Sequence, residues 1–186
     1  EAKGGAIYNY SPIGDIVGNF IGNYVSGTYS SFGGAIYNEY ATIGNISGNF
    51  IGNYTLAVDN YSQGGAVYTT SNMTFSSGSD VHFMSGNYTQ DPTRGKVYNA
   101  VYGVNAPVIT FDTTGGGAWV VNDNMEGGKY NFTGDDTIDT STGTTTQYVA
   151  MNNDIVNAGE VTVSGTTLRF GSYQHEDQTA KNWDGK

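Results

Sequence analysis

A hexapeptide returns along this chain at a fixed interval, and that period constrains the fold more than any other feature. Gly-Gly-Ala-Ile-Tyr-Asn begins at Gly4 and again at Gly33, Gly-Gly-Ala-Val-Tyr begins at Gly64, and a degraded copy, Gly-Lys-Val-Tyr-Asn, begins at Gly95. Ala6, Ala35, Ala66 and Lys96 are separated by 29, 31 and 30 residues. A unit of this size cannot bury its apolar face alone and must lay it on the next copy, so the period predicts a stacked repeat architecture.

A second block follows each hexapeptide. Ile-Gly-Asp-Ile-Val-Gly-Asn-Phe-Ile-Gly-Asn-Tyr runs from Ile13 to Tyr24, Ile-Gly-Asn-Ile-Ser-Gly-Asn-Phe-Ile-Gly-Asn-Tyr from Ile43 to Tyr54, and a weaker copy ends at Phe83, Asn87 and Tyr88. Glycine and asparagine recur every third or fourth position; both disfavour helix interiors and suit bends. The short β-branched and aromatic runs between them are strand material. In the first repeat strands are expected around 6–9, 13–16 and 19–25. Three short strands per period of about 30 residues, with no hairpin turn joining neighbours, predict an all-β chain in which each repeat is one rung of a parallel β-helix. Six rungs would make a rod on the order of 30 Å long. The copies differ most at 25–32, 55–63 and 89–94, and again at 69–80, where solenoids place variable loops on one face.

The texture changes near Gly103. Residues 1–103 carry the regular repeats; 104–186 keep the alternation of short β runs with glycine turns but lose the hexapeptide. This stretch reads as the same β-helix continued with irregular rungs, in preference to a separate β-sandwich. Residues 175–186 are polar and are expected to fray. The first repeat starts at Gly4, so the chain reads as a segment of something longer.

Composition narrows the function classes. Seven basic against seventeen acidic residues give a net charge of −10, which argues against nucleic acid or an anionic lipid surface as partner. No cysteine is present, so disulfides, thiolate metal sites and cysteine nucleophiles are excluded. No run approaches the roughly 18 apolar residues of a membrane-spanning helix, and direct membrane insertion by this segment is not expected.

Candidate sites are few. Asn23, Asn53 and Asn87, with Phe20, Phe50 and Phe83, recur in phase and are expected to form structural ladders, the asparagine amides hydrogen-bonding from rung to rung. Tyr8, Tyr37, Tyr68 and Tyr98 would form an aromatic stripe; covering one side of the coil is the simpler role, and stacking on sugars or peptides the functional one. His82 and His175 lack a repeating acidic partner, and no Gly-x-Ser-x-Gly elbow occurs, so no catalytic residues are assigned. Asp135, Asp136 and Asp139, with Asp123 before them, form the densest acidic region, but aspartates among glycines and threonines ordinarily serve turns. Residues 122–124 and 134–136 are oxygen-rich yet match no calcium-loop spacing, so no metal and no cofactor are expected. Sequons such as those at Asn53, Asn72, Asn87 and Asn131 would matter only in a eukaryotic secretory pathway. Ice binding would need Thr-x-Thr at one position of every rung, whereas threonines concentrate at 140–146 and 166–167.

Gly-Gly-Ala-Ile paired with Phe-x-x-Asn at Phe20 to Asn23 and Phe50 to Asn53 resembles the paired tetrapeptides of the chlamydial polymorphic outer-membrane proteins and of similar repeats in other bacterial autotransporter passengers. The third copy departs by one extra residue between Phe83 and Asn87, and the fourth by Lys96 in place of alanine. The resemblance implies a right-handed parallel β-helix, exported across the outer membrane and displayed on the cell surface, non-enzymatic, serving as stalk, adhesin or antigen. It implies host protein or glycan as partner through variable loops, and end-to-end contact with further rungs or copies. The competing class is a polysaccharide-active β-helix enzyme, which would bring three acidic side chains together in one groove.

Overall fold

The computed structural model describes residues 1–135, 138–139, 144–145 and 147–177. Among these residues there is no helix, and nearly all strands pair in parallel. Each repeat passes through the same succession of short strands. In the first they are Ala2–Lys3, Ile7–Asn9, Ile16–Val17, Phe20–Ile21 and Tyr24–Gly27; in the second, Ser31–Phe32, Ile36–Asn38, Asn45–Ser47, Phe50–Ile51 and Tyr54–Ala57. The third runs through Ser62–Gln63, Val67–Thr69, Met73–Ser76, Val81–Ser85 and Tyr88–Asp91. Equivalent strands lie side by side, so Ile7 pairs with Ile36 and Ile36 with Val67. The same sheets then take in Gly95–Asp112, Ala118–Val121, Asn124–Thr133, Tyr148–Met151, Ile155–Val156, Glu160–Ser164 and Thr167–Phe170.

Because side chains alternate across a strand, parallel pairing in register stacks like positions into columns. One column runs Ile7, Ile36, Val67, Val101, Met125, Ile155. A second runs Ile16, Ile46, Phe75, Phe111, Phe132, Val163. A third runs Phe20, Phe50, Met84, Val121, Met151, Phe170. The middle members of all three belong to one buried cluster. Rings stack along the columns, Phe20 on Phe50 at 4.8 Å and Phe75 on Phe111 at 5.1 Å, with Trp119 edge-on to both Phe75 and Phe111. These centroid distances are set by the strand spacing, so the backbone ladder itself holds the aromatic rings in contact.

The paired glycines have separate physical roles. Gly33 and Gly64 sit at φ of 63° and 65°, a left-handed conformation that side chains resist. Gly34 instead faces the next repeat, where an added Cβ would lie 2.0 Å from the Gly65 carbonyl oxygen and 2.7 Å from that of Tyr54. The first glycine turns the chain and the second lets two backbones meet.

The fourth copy differs from the sequence-based register. Tyr88–Asp91, parallel to Tyr54–Ala57 on one side, has no parallel neighbour on the other but turns back, pairing antiparallel with 95–98 in a hairpin. Asp91 builds that turn, its Oδ1 accepting from the amides of Thr93 at 3.0 Å and Arg94 at 2.7 Å, and Gly95 completes it at φ 66°. The motif at Gly95 is therefore spent on the hairpin, and Ala100, Val101 and Tyr102 take the positions expected of 96–98. Val101, not Val97, joins the first column. Phe83 is likewise displaced: its strand pairs Met84 with Phe50, leaving Phe83 outward and 41% exposed. The extra residue before Asn87 has shifted the Phe-x-x-Asn spacing onto Met84.

Candidate functional site

Two tyrosine ladders run along the outside. Tyr8, Tyr37, Tyr68 and Tyr102 stack with centroids 5.3, 5.0 and 6.1 Å apart and planes within 4°. Tyr98, expected as the fourth member, is instead buried in the hairpin beneath His175. Nor is the stripe open along its length, because Tyr37 is 3% exposed and Phe32 packs on both Tyr37 and Tyr68. Burial, then a hydrogen bond to Glu39, pushes the Tyr37 phenol far above its ordinary range, and burial pushes Tyr68 up to about 12. These phenols stay neutral and serve packing. The second ladder, Tyr24, Tyr54 and Tyr88, has spacings of 5.1 and 4.9 Å, and Lys96 Nζ closes it 4.4 Å from the Tyr88 ring.

The asparagine ladder is a directed chain of amides. Asn23 Nδ2 donates to Asn53 Oδ1 at 2.9 Å and Asn53 Nδ2 to Asn87 Oδ1 at 2.9 Å, while the Asn23 and Asn53 backbone amides donate to the same oxygens at 3.0 Å. Asn87 hands on to Asp123, whose Oδ2 accepts from Asn87 Nδ2 at 2.7 Å and its backbone amide at 3.0 Å. Oδ1 of Asp123 takes the Gly86 amide at 2.9 Å and faces His175 Nε2 at 2.9 Å. Four donors converge on one fully buried side chain, so an acceptor-only carboxylate fits where another amide would place N–H against N–H.

His175 therefore has an acidic partner and is 5% exposed, contrary to the expectation that this segment frays. Its ring stacks on Tyr98 at 3.5 Å, and Asp177 accepts from Lys96 at 2.6 Å and from the Tyr98 hydroxyl at 2.5 Å. Residues 171–177 thus form a strap tying the last strands back to the hairpin; 178–186 lie outside the described residues. Burial works against the Lys96 charge, but hydrogen bonds to Asp177 and Tyr98 outweigh it and raise its pKa.

His82 also acquires a partner the sequence did not suggest, Ser47 Oγ at 3.0 Å from Nε2. Burial lowers its pKa and keeps the ring neutral, while Nδ1 is buried without a partner. Among the described residues no carboxylate is hydrogen-bonded to the ring. Of the acidic cluster, Asp136 and the side chain of Asp139 fall outside the described residues; Asp135 is joined to Gln147, whose Oε1 accepts the Asp135 amide at 3.0 Å. Among the described residues no group of three His, Cys, Asp or Glu could hold a metal. Asn53 and Asn87 are fully buried in the ladder, which removes both sequons from any glycosylating enzyme in the folded state.

Exposed aromatics lie both on strands, as at Tyr8, Tyr24, Phe83 and Phe170, and on the connecting loops, as at Tyr10, Tyr29, Tyr40 and Tyr61. Tyr40 stands out, 70% exposed at φ 57°, its amide donating to Thr70 Oγ1 at 3.0 Å and its ring meeting Tyr10 edge-on at 6.2 Å. A large side chain is held outward in a conformation that costs energy. No protein-family model, no curated protein and no solved structure matches the chain.

Proposed function

We propose that this chain is a right-handed parallel β-helix of about 30 residues per rung and forms part of the passenger of a surface-displayed bacterial autotransporter. In this reading it is non-enzymatic, a stiff stalk that presents loop residues to a host protein or glycan. The observation that carries the reading is the division of labour among the aromatics. Rings on the strands stack from one repeat to the next, while Tyr10, Tyr29, Tyr40 and Tyr61 stand on the loops outside those ladders, one of them at a strained backbone position. A pure spacer gains nothing from holding Tyr40 outward at that cost.

The test is to fuse the chain ahead of an outer-membrane barrel translocator in a Gram-negative host and to score surface exposure and adhesion to epithelial monolayers. The expected result is protease-accessible chain on the cell surface and adhesion that falls when Tyr10, Tyr29, Tyr40 and Tyr61 are changed together to alanine. Chain retained in the periplasm would overturn the passenger assignment. Adhesion unchanged by the four substitutions would overturn the role of the loops.

A further inference from the structure

The strands Asn45–Ser47, Met73–Ser76 and Glu160–Ser164, with 108–112 and 129–133 between them, form one continuous parallel face. Its inward side carries the buried column through Phe75, Phe111 and Phe132. Its outward side is polar and in register: Asn45, Thr74, Thr110, Asn131 and Thr162 occupy one row, and Ser76, Asp112, Thr133 and Ser164 the row two residues on. A third row, Val108, Lys129 and Glu160, borders the first on its other side, with Asn72 Oδ1 accepting the Val108 amide at 2.8 Å. Between the first and third rows lie two clefts that meet at Val108. One, of about 320 Å³, reaches Asn72, Thr74 and Thr110; the other, of about 180 Å³, reaches Lys129, Asn131, Glu160 and Thr162. Together they make a trough that crosses the strands.

We propose that this trough binds a linear, neutral polysaccharide lying across the strands, with about one sugar unit per repeat. Hydroxyl and amide groups recur along it at the strand spacing of about 4.8 Å, close to the advance of one pyranose unit in an extended glycan. Each level can therefore offer a side-chain hydroxyl or amide to the same sugar position. A polyanionic glycan is disfavoured by the net charge of −10 and by Asp112 in the second row. An extended peptide is disfavoured because the central strands are paired on both sides and offer no edge for strand addition. Val108 is the apolar contact shared by both clefts, suited to the C–H face of a sugar and too small for an aromatic anchor. Ice is a poorer fit, since amides and a carboxylate interrupt the hydroxyl rows and the Lys129–Glu160 ion pair, 3.3 Å across, stands at the border. The site is distinct from the adhesive loops and does not rest on their role.

The experiment is affinity electrophoresis of the 186-residue chain through gels containing xyloglucan, β-1,3-glucan, hydroxyethyl cellulose or dextran, with polygalacturonate as the charged control. The wild type should be retarded by at least one neutral polymer and not by polygalacturonate. Thr110→Lys and Thr162→Lys point outward from the core and should each weaken retardation about tenfold or more, while Tyr40→Ala, on a loop, should not. Thr162 is exposed at the last level, so its variant tests the site even if Thr110→Lys folds poorly. No retardation of the wild type by any neutral polymer would overturn the proposal. So would equal retardation of wild type and folded Thr162→Lys, or inhibition of ice recrystallisation without glycan retention. Release of reducing ends that is lost in the same variants would support binding here and overturn the non-enzymatic reading.

Discussion

Tyr40 illustrates how a single residue can oppose stability for the sake of display. At φ 57° its side chain meets the steric penalty of the left-handed region, which glycine escapes. Tyr40→Gly is expected to raise stability by about 1 kcal/mol in chemical denaturation while reducing adhesion; a destabilised variant would show that the ring is held by packing. Gly34 is the opposite case, a residue required by contact. A Cβ 2.0 Å from a backbone oxygen cannot be relieved by rotating a side chain, so Gly34→Ala should cost about 3 kcal/mol or more. A melting temperature equal to the parent would refute that close approach. His82 gives a pH signature. Its folded pKa lies below the ordinary 6.5 because burial disfavours the imidazolium, so the unfolded chain binds the proton first. The contribution is present in full above pH 6.5 and is lost as pH falls through the lowered folded value. The stability of wild type relative to His82→Leu should fall as pH drops from 7 toward 5 in thermal melts; a difference constant with pH would mean that the ring is not desolvated.

At the level of strands, what the sequence made legible was whatever local residue patterns dictate. Gly-Gly-Ala-Ile located the strand Ile7–Asn9, but the run expected at 13–16 forms a strand only at Ile16–Val17, and the one expected at 19–25 is broken at Gly22-Asn23 into Phe20–Ile21 and Tyr24–Gly27; Asn23, Asn53 and Asn87 marked the line of the amide ladder. Less legible was any position where a short polar segment redirected the chain. Asp91, Thr93 and Arg94 close a hairpin through side chain-to-backbone hydrogen bonds, and the copy of Ala-Val-Tyr that resumes the column begins at Ala100. That tripeptide was readable in the sequence, but the glycine at Gly95 offered a more familiar start. The strap was illegible for a different reason: Asp123 and His175 are 52 residues apart and neither belongs to a repeat. Their pairing makes the strap sensitive to one substitution. His175→Ala would take one of the four donors from the buried Asp123 side chain, a change expected to cost about 2 kcal/mol. Limited proteolysis should then remove the segment after Gly171 well before the core is cut, and equal cleavage rates in wild type and variant would show the strap to be loose already.

At the scale of the whole 186-residue chain taken by itself, the first and last strands described are paired differently from those between them. In the first repeat, Ile7–Asn9, Ile16–Val17, Phe20–Ile21 and Tyr24–Gly27 each pair with the second repeat and, among the described residues, with nothing on the other side. Val17 is 84% and Ile21 66% exposed there, beside a row of backbone donors and acceptors suited to pairing with another strand. At the opposite end, Thr167–Phe170 pairs, among the described residues, with Tyr148–Met151 alone, and Phe170 is exposed. Two forces then compete when two copies of the 186-residue chain meet. Edge pairing and apolar contact attract, and a net charge of −10 on each copy repels. Salt weakens the repulsion, with a screening length of about 10 Å at 0.1 M, but leaves the strand pairing almost untouched. The chain should therefore self-associate more strongly as ionic strength rises, the reverse of assembly through ion pairs. Sedimentation velocity across a salt series should show this, and Val17→Lys with Ile21→Lys should suppress it, because charges on an edge oppose strand addition. The double variant also brings the net charge nearer zero, so if repulsion alone governed the behaviour it would associate more than the parent. A chain that stays monomeric at every salt concentration, or dissociates as salt is added, would show that these open edges do not drive contact between copies.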